Sequence, residues 1–404
     1  MSGKVFITGY GIISAIGNDI AKNLESLMIG RSGIGQITML DTLHKGVLPI
    51  AEVKLKNSEL LEMNGLADKP GYTRTTLLGL TAAREAMRSA GAEGLNEGDT
   101  ALVSATTVGG MDHSENFYAD FLADPSKGKL RDIVHHDCAD STSLIAAHLN
   151  LNGIVTTIST ACSSSVNSVM FAANLIKSGR AHRVLVGGTD SVTRFTLNGF
   201  NTLMILDKTG CHPFDAQRAG LTLGEGAAYL MLESEDSVRM RGVKVLAEVA
   251  GFGNANDAYH QTASSPDGEG PFRAMSKALK SARMNPEDIG YVNVHGTGTE
   301  NNDLTEGLAM KRLFGDKIPM FSSTKGFTGH TLGAAGAVES VISLLSLQTG
   351  MIFPNLGFNN PIPDLGMVPV ISVKKEIPLK NVMSNSFGFG GNCSSIIYSR
   401  TDAV

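Results

Sequence analysis

Short apolar runs rich in β-branched residues alternate with segments of helical periodicity along the chain. Residues 5–8 predict a strand, and a helix is predicted to begin near Asp19 with apolar side chains on one face. Another helix is predicted over residues 73–89. Residues 154–159 form a β-branched strand that leads directly to Cys162 and a further helix. Alternation of this kind is typical of an α/β protein.

The order of elements repeats in the second half of the chain. The apolar run that begins at Val243 ends in a Gly-Phe-Gly sequence, as the opening strand ends in Gly-Tyr-Gly. A predicted strand ends at His295, and His330 precedes a helix of small residues, as a cysteine does in the first half. We therefore predict two related halves, residues 1–250 and 251–404, packed as sheets between helix layers.

Composition narrows the classes of function. The chain has 404 residues, 42% of them hydrophobic, and a formal net charge of −5 with scattered basic residues, which argues against a nucleic acid as partner. Apolar runs fall short of the ~18 residues of a membrane helix, and the first residues lack the apolar core of a signal peptide. The four cysteines show no zinc-site spacing. We expect a cytoplasmic protein with reduced thiols, no membrane insertion and no metal.

Cys162 is the first candidate for chemistry. A strand that ends in Ser-Thr-Ala-Cys and is followed at once by a helix places the sulfur at the helix N-terminus. Unpaired N–H groups and the helix dipole favour a thiolate there. The alternative is a buried cysteine that packs as a small hydrophobic residue, which is the default for Cys138, Cys211 and Cys393.

Two histidines lie in glycine-rich segments that follow predicted strands. His295 precedes Gly-Thr-Gly-Thr, and His330 stands at the start of the predicted helix 332–345. A helix N-terminus disfavours imidazolium, so His330 is expected to be neutral and able to donate a hydrogen bond. Each histidine alone could be a helix cap or a satisfied interior residue. Together with Cys162 they predict a shared site.

Charged residues near these histidines have plain alternatives. Glu339 interrupts an apolar helix face and needs a cation, for which Lys325 is the candidate; a surface ion pair is the alternative. Asp303 and Glu306 could be ordinary acids of a first helical turn. The chain has no complete GxGxxG, phosphate-binding loop or GxSxG motif, which leaves redox and phosphoryl-transfer chemistry without support.

Four motifs follow one another along the chain: Ser-Thr-Ala-Cys162, His295-Gly-Thr-Gly-Thr299, Lys325-Gly-Phe-Thr-Gly-His330 and Asn385-Ser-Phe-Gly-Phe389-Gly-Gly. These motifs resemble those of the β-ketoacyl-acyl carrier protein synthases of the thiolase superfamily. Each motif is modest alone, but their order over 404 residues is specific. The resemblance implies a thiolase-like five-layer αβαβα fold from two related halves.

The resemblance also implies a mechanism, decarboxylative Claisen condensation. Cys162 would accept an acyl group from a carrier thioester, and neutral His295 and His330 would hold a malonyl thioester and stabilise the enolate left by loss of CO₂. Backbone N–H groups of Cys162 and Phe389 would form the oxyanion hole. Lys325 and Glu339 would support the histidines, and Thr297 and Thr299 would contact the pantetheine arm. Phe389 would gate the acyl pocket, which Val108 and Phe200 would line.

Three segments depart from the family pattern. Ser163-Ser-Ser follows the nucleophile, Glu300-Asn-Asn follows Thr299 where proline and a small residue are usual, and Asn392-Cys393 stands where Thr-Asn is expected. The first and the last of these, together with His330-Thr331, favour a specialised polyketide or polyene pathway over general fatty-acid synthesis. One alternative is a coenzyme A-dependent thiolase with Cys393 as its second cysteine. The other is a non-catalytic chain-length partner in a ketosynthase heterodimer, although such a subunit usually lacks the nucleophile that Cys162 provides here.

The resemblance implies an acyl carrier protein as partner and no cofactor beyond the carrier's phosphopantetheine. Since such carriers are acidic, a local basic patch must dock them, and Lys127, Lys129 and Arg131 form the densest basic run, with Lys208 as a further candidate. We expect a homodimer paired through residues 154–159, with a heterodimer as the alternative.

Overall fold

The computed structural model describes residues 3–67, 71–94 and 100–401. The strands are β1 (Val5–Ser14), β2 (Ile34–Gln36), β3 (Pro49–Ala51), β4 (Thr100–Ala105), β5 (Val155–Ile158), β6 (Arg183–Asp190), β7 (Gly226–Ser234), β8 (Ala247–Asn256), β9 (Tyr291–Asn293), β10 (Met320–Ser322), β11 (Asn381–Gly388) and β12 (Asn392–Ser399). The α-helices are α1 (Ile20–Ile29), α2 (Asn57–Met63), α3 (Arg74–Ser89), α4 (Met111–Ala123), α5 (Cys138–His148), α6 (Ser164–Lys177), α7 (Arg194–Thr202), α8 (Glu235–Arg241), α9 (Glu269–Ala282), α10 (Glu300–Phe314), α11 (Lys325–Thr328) and α12 (Ala335–Thr349).

Strand order repeats between the two parts of the chain. Strands of the first part follow the order β5-β4-β6-β7-β1, and those of the second part follow β10-β9-β11-β12-β8. Parallel and antiparallel pairings match as well. The two sheets join where Phe6 and Ile7 of β1 pair with β8. The repeat read from the sequence is therefore present in the fold, while the boundary at residue 250, which falls inside β8, stays a prediction.

Three apolar cores separate the layers. The largest lies around α6 and α12, between the two sheets. A second core packs α3 and α5 against the outer face of the first sheet, and a third packs α9 and α10 against the second sheet. Helices thus cover both outer faces and fill the centre, which confirms the predicted five-layer α/β architecture.

Helix α12 shows how the central layer is built. Its small and apolar residues are buried on nearly every side, as expected of a helix between two sheets. Residues 332–349 are long and apolar enough to span a membrane, but 89% of this window is buried inside the protein. The window is therefore the core of the fold.

Glycines in β1 and β8 serve helix packing. A Cβ at Gly11 would lie 2.2 Å from the backbone of α3, and a Cβ at Gly9 would lie 2.4 Å from the backbone of Ala90, the residue after α3. A Cβ at Gly251 or Gly253 would lie 2.5 or 2.3 Å from the backbone of α9. Both Gly-x-Gly sequences let a helix approach its strand closely, which explains why the sequence repeats them.

Candidate active site

The nucleophile candidate lies in a tight turn between β5 and α6. Ala161 has φ 53°, a left-handed conformation that costs energy in an alanine, and Cys162 follows it directly. The Oγ of Ser164 donates to Ala161 O at 2.5 Å and accepts from Thr160 N at 2.7 Å. Ser164 therefore holds the turn that presents the sulfur.

Opposing influences act on the Cys162 thiol. Burial raises the pKa of Cys162 to about 11, while the Lys325 ammonium and the backbone N–H groups of Phe389 and of Cys162 itself lower that pKa. The expected thiolate at the helix N-terminus is thus not the resting state, because burial outweighs the stabilising groups. The backbone N–H of Phe389 is nevertheless close enough to the Cys162 sulfur to stabilise its thiolate.

Two buried carboxylates shape the loop after β9. Glu306 of α10 accepts the backbone N–H groups of His295 and Gly296, both at 2.9 Å. Asp303 accepts the N–H of Thr297 at 2.9 Å and that of Phe214 at 2.7 Å. The reading of Asp303 and Glu306 as ordinary helix acids was wrong. Both are buried acceptors that fix the loop carrying His295.

The tautomer of His295 follows from its neighbours. Lys325 Nζ lies 3.3 Å from His295 Nδ1 and 2.5 Å from His295 O, and it also contacts Glu339 Oε1. Because an ammonium can only donate, Nδ1 must accept, and the proton of neutral His295 lies on Nε2. Burial, Lys325 and His330 hold the pKa of His295 well below its usual range. The predicted Lys325–Glu339 pair exists and is fully buried.

His330 is also neutral with its proton on Nε2, but different neighbours fix this tautomer. The backbone N–H of Leu332 donates to His330 Nδ1 at 3.0 Å, so the proton lies on Nε2. Burial and then Lys325 lower the pKa of His330 to about 3. His330 is not at the start of the α-helix as predicted, because a 3₁₀ turn (Leu332–Ala334) separates it from α12. Burial, not a helix dipole, keeps this histidine neutral.

The three candidates converge on one cavity. One ligand atom each of Cys162, His295 and His330 lies within 4.8 Å of the others. The two imidazole rings meet edge to face, with centroids 5.4 Å apart. These residues line a cavity of about 440 Å³. Its wall also contains Thr297 and Thr299, whose hydroxyls lie 2.8 Å apart.

Aromatic residues close one side of this cavity. Phe389 stacks on Phe200 with ring centroids 5.9 Å apart, and both line the wall. Val108 lies behind the wall, in a buried apolar cluster against which Phe200 packs. The N–H of Val108 is held by Asp190, which also accepts the N–H of Gly333 at 2.7 Å. Sequence reasoning missed Asp190, which ties the segment around Val108 to the turn after His330.

The other cysteines lie outside this group. Cys393 belongs to a small apolar cluster with Ala255, Ala274 and Phe387, and burial raises its pKa. Cys211 donates to Thr297 O at 3.5 Å, and burial raises its pKa to about 12. A second catalytic cysteine, as in a thiolase, is therefore not brought to Cys162 by the described part of the chain.

Comparison with known sequences identifies the family. Residues 2–237 match the N-terminal domain of β-ketoacyl synthases, and residues 246–359 match their C-terminal domain. The chain belongs to the β-ketoacyl synthase family. It is 33% identical to 3-oxoacyl-[acyl-carrier-protein] synthase 2 of Staphylococcus aureus (strain COL), over 99% of both chains. It is 36% identical to Nodulation protein E of Rhizobium meliloti (strain 1021), over 97% of this chain and 98% of that protein.

Solved structures agree with this membership. The ishigamide ketosynthase/chain length factor matches with a TM-score of 0.92 and 31% identity over all of both chains. A type II polyketide ketosynthase in complex with its acyl-carrier protein matches with a TM-score of 0.90 and 25% identity, over 99% of this chain and 100% of that one. The protein is thus an acyltransferase of the β-ketoacyl synthase class, active in fatty-acid or polyketide synthesis.

Proposed function

We propose that Cys162 carries the growing acyl chain and that His295 and His330 activate the extender unit. In the first step the Cys162 sulfur attacks the carbonyl of an acyl-carrier thioester. The carrier's sulfur leaves and takes the proton that Cys162 gives up, so one thiol replaces another. Phe389 and Cys162 N–H groups stabilise the oxyanion that forms between the two thioesters, a contribution of roughly 3–4 kcal/mol per donor.

The second step is decarboxylation and condensation. The two Nε2–H groups of His295 and His330 donate to the thioester oxygen of a malonyl carrier, so negative charge can accumulate there when CO₂ leaves. The enolate carbon then attacks the Cys162 thioester, a carbon–carbon bond forms, and the sulfur departs as thiolate. Neutral histidines suit this role, because they stabilise the enolate by hydrogen bonding without protonating it.

The observation that carries the proposal is the convergence of a thiol and two imidazoles whose Nδ1 atoms are both occupied by donors. The test separates the two half-reactions. Cys162→Ala is expected to keep malonyl-carrier decarboxylation and to lose chain extension. His295→Ala and His330→Ala are each expected to lower decarboxylation by roughly 10²-fold or more, the usual loss for such a donor.

The control for these variants is Cys211→Ala, which removes another buried thiol beside the same loop. It should leave both half-reactions near those of the unsubstituted protein, and intact mass after incubation with acyl-carrier thioesters should show one acyl group on Cys162. Undiminished decarboxylation in a histidine variant would remove that histidine from the mechanism.

The cavity suits a phosphopantetheine arm and a straight acyl chain. Thr297 and Thr299 offer hydroxyls for the arm's amides, and the stacked pair Phe389 and Phe200 separates the cavity from the apolar cluster that holds Val108. We infer that Phe389 must swing off Phe200 to admit the acyl chain. The reaction then needs no metal or organic cofactor besides the carrier's own arm.

An acyl carrier protein is the proposed partner, as it is for the type II ketosynthase of similar fold. The basic run predicted to dock it is partly neutralised, since Lys127 pairs with Asp124 and Arg131 with Asp132, both at 3.7 Å. Lys208 is exposed and follows Ile205, which lines the cavity. We therefore favour Lys208 over the run at Lys127 as the main docking cation. Substrates on such a carrier fit a cytoplasmic enzyme.

The proposed assembly is a homodimer. β5 lies at the end of the strand order, and apolar side chains at its start are exposed to solvent: Ile154, just before the strand, is 42% exposed, and Val155, its first residue, is 40% exposed. An open apolar strand edge favours pairing with a second copy. An active monomer in light scattering would refute the homodimer, and a requirement for a related subunit would favour the heterodimer.

The proposed pathway is specialised elongation of a polyketide or polyene chain. The chain is about equally identical to the Staphylococcus aureus synthase (33%) and to the ishigamide ketosynthase/chain length factor (31%), so identity does not choose between the pathways. The proposal rests on Ser163-Ser-Ser, His330-Thr331 and Asn392-Cys393. Supplying the protein to a cell without its general elongating synthase tests it. Full rescue of ordinary long-chain fatty acids would overturn the specialised role. A non-catalytic chain-length role is disfavoured by the Cys162 site.

A further inference from the structure

Two of the segments that depart from the family pattern, those at Ser163 and Asn392, meet in the fold. Ser163 Oγ lies 2.8 Å from Asn392 Oδ1, although 229 positions separate them, and 2.7 Å from Thr160 O, so its one hydrogen is shared between these two acceptors. Ser163 directly follows the nucleophile Cys162, and Asn392 opens β12. The departures are therefore parts of one hydrogen-bonded arrangement beside the active site.

Asn392 Oδ1 is an acceptor shared by several donors. Besides Ser163, it accepts Nδ2 of Asn167 and Nδ2 of Asn254, each at 2.9 Å. Asn167 Nδ2 also donates to Thr160 Oγ1 at 2.8 Å, before the nucleophile turn. We call this set the Asn392 network: Thr160, Ser163, Asn167, Asn254, Asn392 and Ser394, whose Oγ donates to Asn167 Oδ1 at 2.7 Å. The network joins α6 to β8 and β12.

This network spans the two segments that supply the oxyanion hole. Asn392 pairs with Gly388 across the β11–β12 hairpin, and Phe389 is the next residue. A Cβ at Gly388 would lie 3.0 Å from Thr160 O and 3.2 Å from Cys162 N, so the hairpin already touches the turn there. The Asn392 network adds a second point of attachment, and two points fix the orientation of one segment relative to the other.

We propose that Asn392 is a positioning residue that sets the separation of the Cys162 and Phe389 N–H groups. The inference rests on the proposed acyl transfer to Cys162. Only the tetrahedral intermediates at the Cys162 thioester need both N–H groups, whereas decarboxylation draws on the Nε2–H groups of His295 and His330. A small misplacement of a donor can cost a large factor in rate, so loss of the network is expected to slow acylation about tenfold.

Asparagine suits this position better than threonine, the residue of the family pattern. A threonine hydroxyl lies one bond closer to the backbone than the amide oxygen of Asn392, and it cannot reach the point where the three donors converge. Asn392→Thr and Asn392→Ala should therefore both slow acylation. Asn381→Ala is the matched control, because Asn381 makes two side-chain hydrogen bonds at the other end of the same hairpin.

The experiment measures two rates on each protein. Acylation is followed by intact mass with the carrier thioester that loads the unsubstituted protein fastest, and decarboxylation is followed with malonyl carrier and no primer. We expect Asn392→Ala to lower the maximal single-turnover rate constant of acylation about tenfold, with the carrier concentration that gives half of that rate unchanged. Decarboxylation should stay within about twofold, and Asn381→Ala should retain both rates.

The variant Ser163→Ala completes the test. Because Ser163 acts partly through Asn392 and partly through Thr160 O, Ser163→Ala should cost less in the Asn392→Ala background than in the unsubstituted protein. Equal losses in both rates, or a loss as large in Asn381→Ala, would assign Asn392 to general stability and overturn the proposal. Unchanged acylation in Asn392→Thr and Asn392→Ala would overturn it as well. Failure of the proposed function itself would show separately, as no acylation of Cys162 in the unsubstituted protein.

Discussion

Replacing Lys325 by methionine should lower both the free energy of unfolding and the decarboxylation rate, and a second substitution should restore only the free energy of unfolding. The Lys325 ammonium neutralises Glu339 and holds His295 in the tautomer with its proton on Nε2. Lys325→Met leaves Glu339 buried without a partner, which should lower the free energy of unfolding by about 3–5 kcal/mol at pH 8. The loss should shrink toward low pH, because burial already raises the pKa of Glu339 to about 6 and the carboxyl then protonates.

The same substitution releases His295 Nδ1 from its donor. The proton can then move to Nδ1, and His295 ceases to donate from Nε2, so decarboxylation should fall by about 10²–10³-fold. Lys325→Met with Glu339→Leu removes both charges and should restore most of the unfolding free energy in urea titrations. Decarboxylation should nevertheless stay at least about 10²-fold low. A double variant that regains decarboxylation would refute the tautomer argument and leave Lys325 as a counter-ion to Glu339.

The alkylation rate of Cys162 should rise about tenfold per pH unit from pH 7 to 10, because its pKa is about 11; iodoacetamide labelling with peptide mapping measures this, and a plateau below pH 9 would contradict it. Burial raises the pKa of Glu306 to about 7. The contribution of Glu306 to the free energy of unfolding, about 3 kcal/mol, is therefore fully present below about pH 4.5 and is lost as the pH rises through 7. Glu306→Gln should remove that part of the slope in urea titrations at pH 5 and 8; an unchanged slope would exclude it. Zn²⁺ should inhibit by binding the cysteine and histidines, and a chelator should leave condensation intact; loss of activity on chelation would indicate a required metal. Lys208→Glu should raise KM for the acyl carrier severalfold at low salt, with Lys127→Glu as control; equal effects would assign docking to both.

The local pattern of apolar and polar residues was enough to predict much of the fold. Helices were predicted to begin near Asp19 and at residue 73, and in the structure Asp19 and Thr73 cap α1 and α3 by accepting the N–H groups three residues further on. The repeat was visible because each half must bury its own sheet with the same order of strands and helices. Cys162, His295 and His330 could be grouped because each follows a strand, and ends of neighbouring strands meet in space.

Contacts distant in sequence could not be predicted in this way. Asp303 and Glu306 have the appearance of helix acids, and only the fold shows that they accept the N–H groups of the loop before them. A signal was present, since the glycine-rich loop after His295 exposes N–H groups that need acceptors. Asp190 gave no signal, because its partner Gly333 lies 143 positions away. The raised pKa of Cys162 depends on burial by both halves.

The assembly of the site from two repeats has a consequence for folding. The strands of each repeat come from one continuous stretch of chain, so each sheet can form from its own segment. The thiol comes from the first repeat, and both imidazoles and the Phe389 N–H come from the second. During refolding, circular dichroism should therefore recover before enzymatic turnover, and the delay between them should report the docking of the repeats.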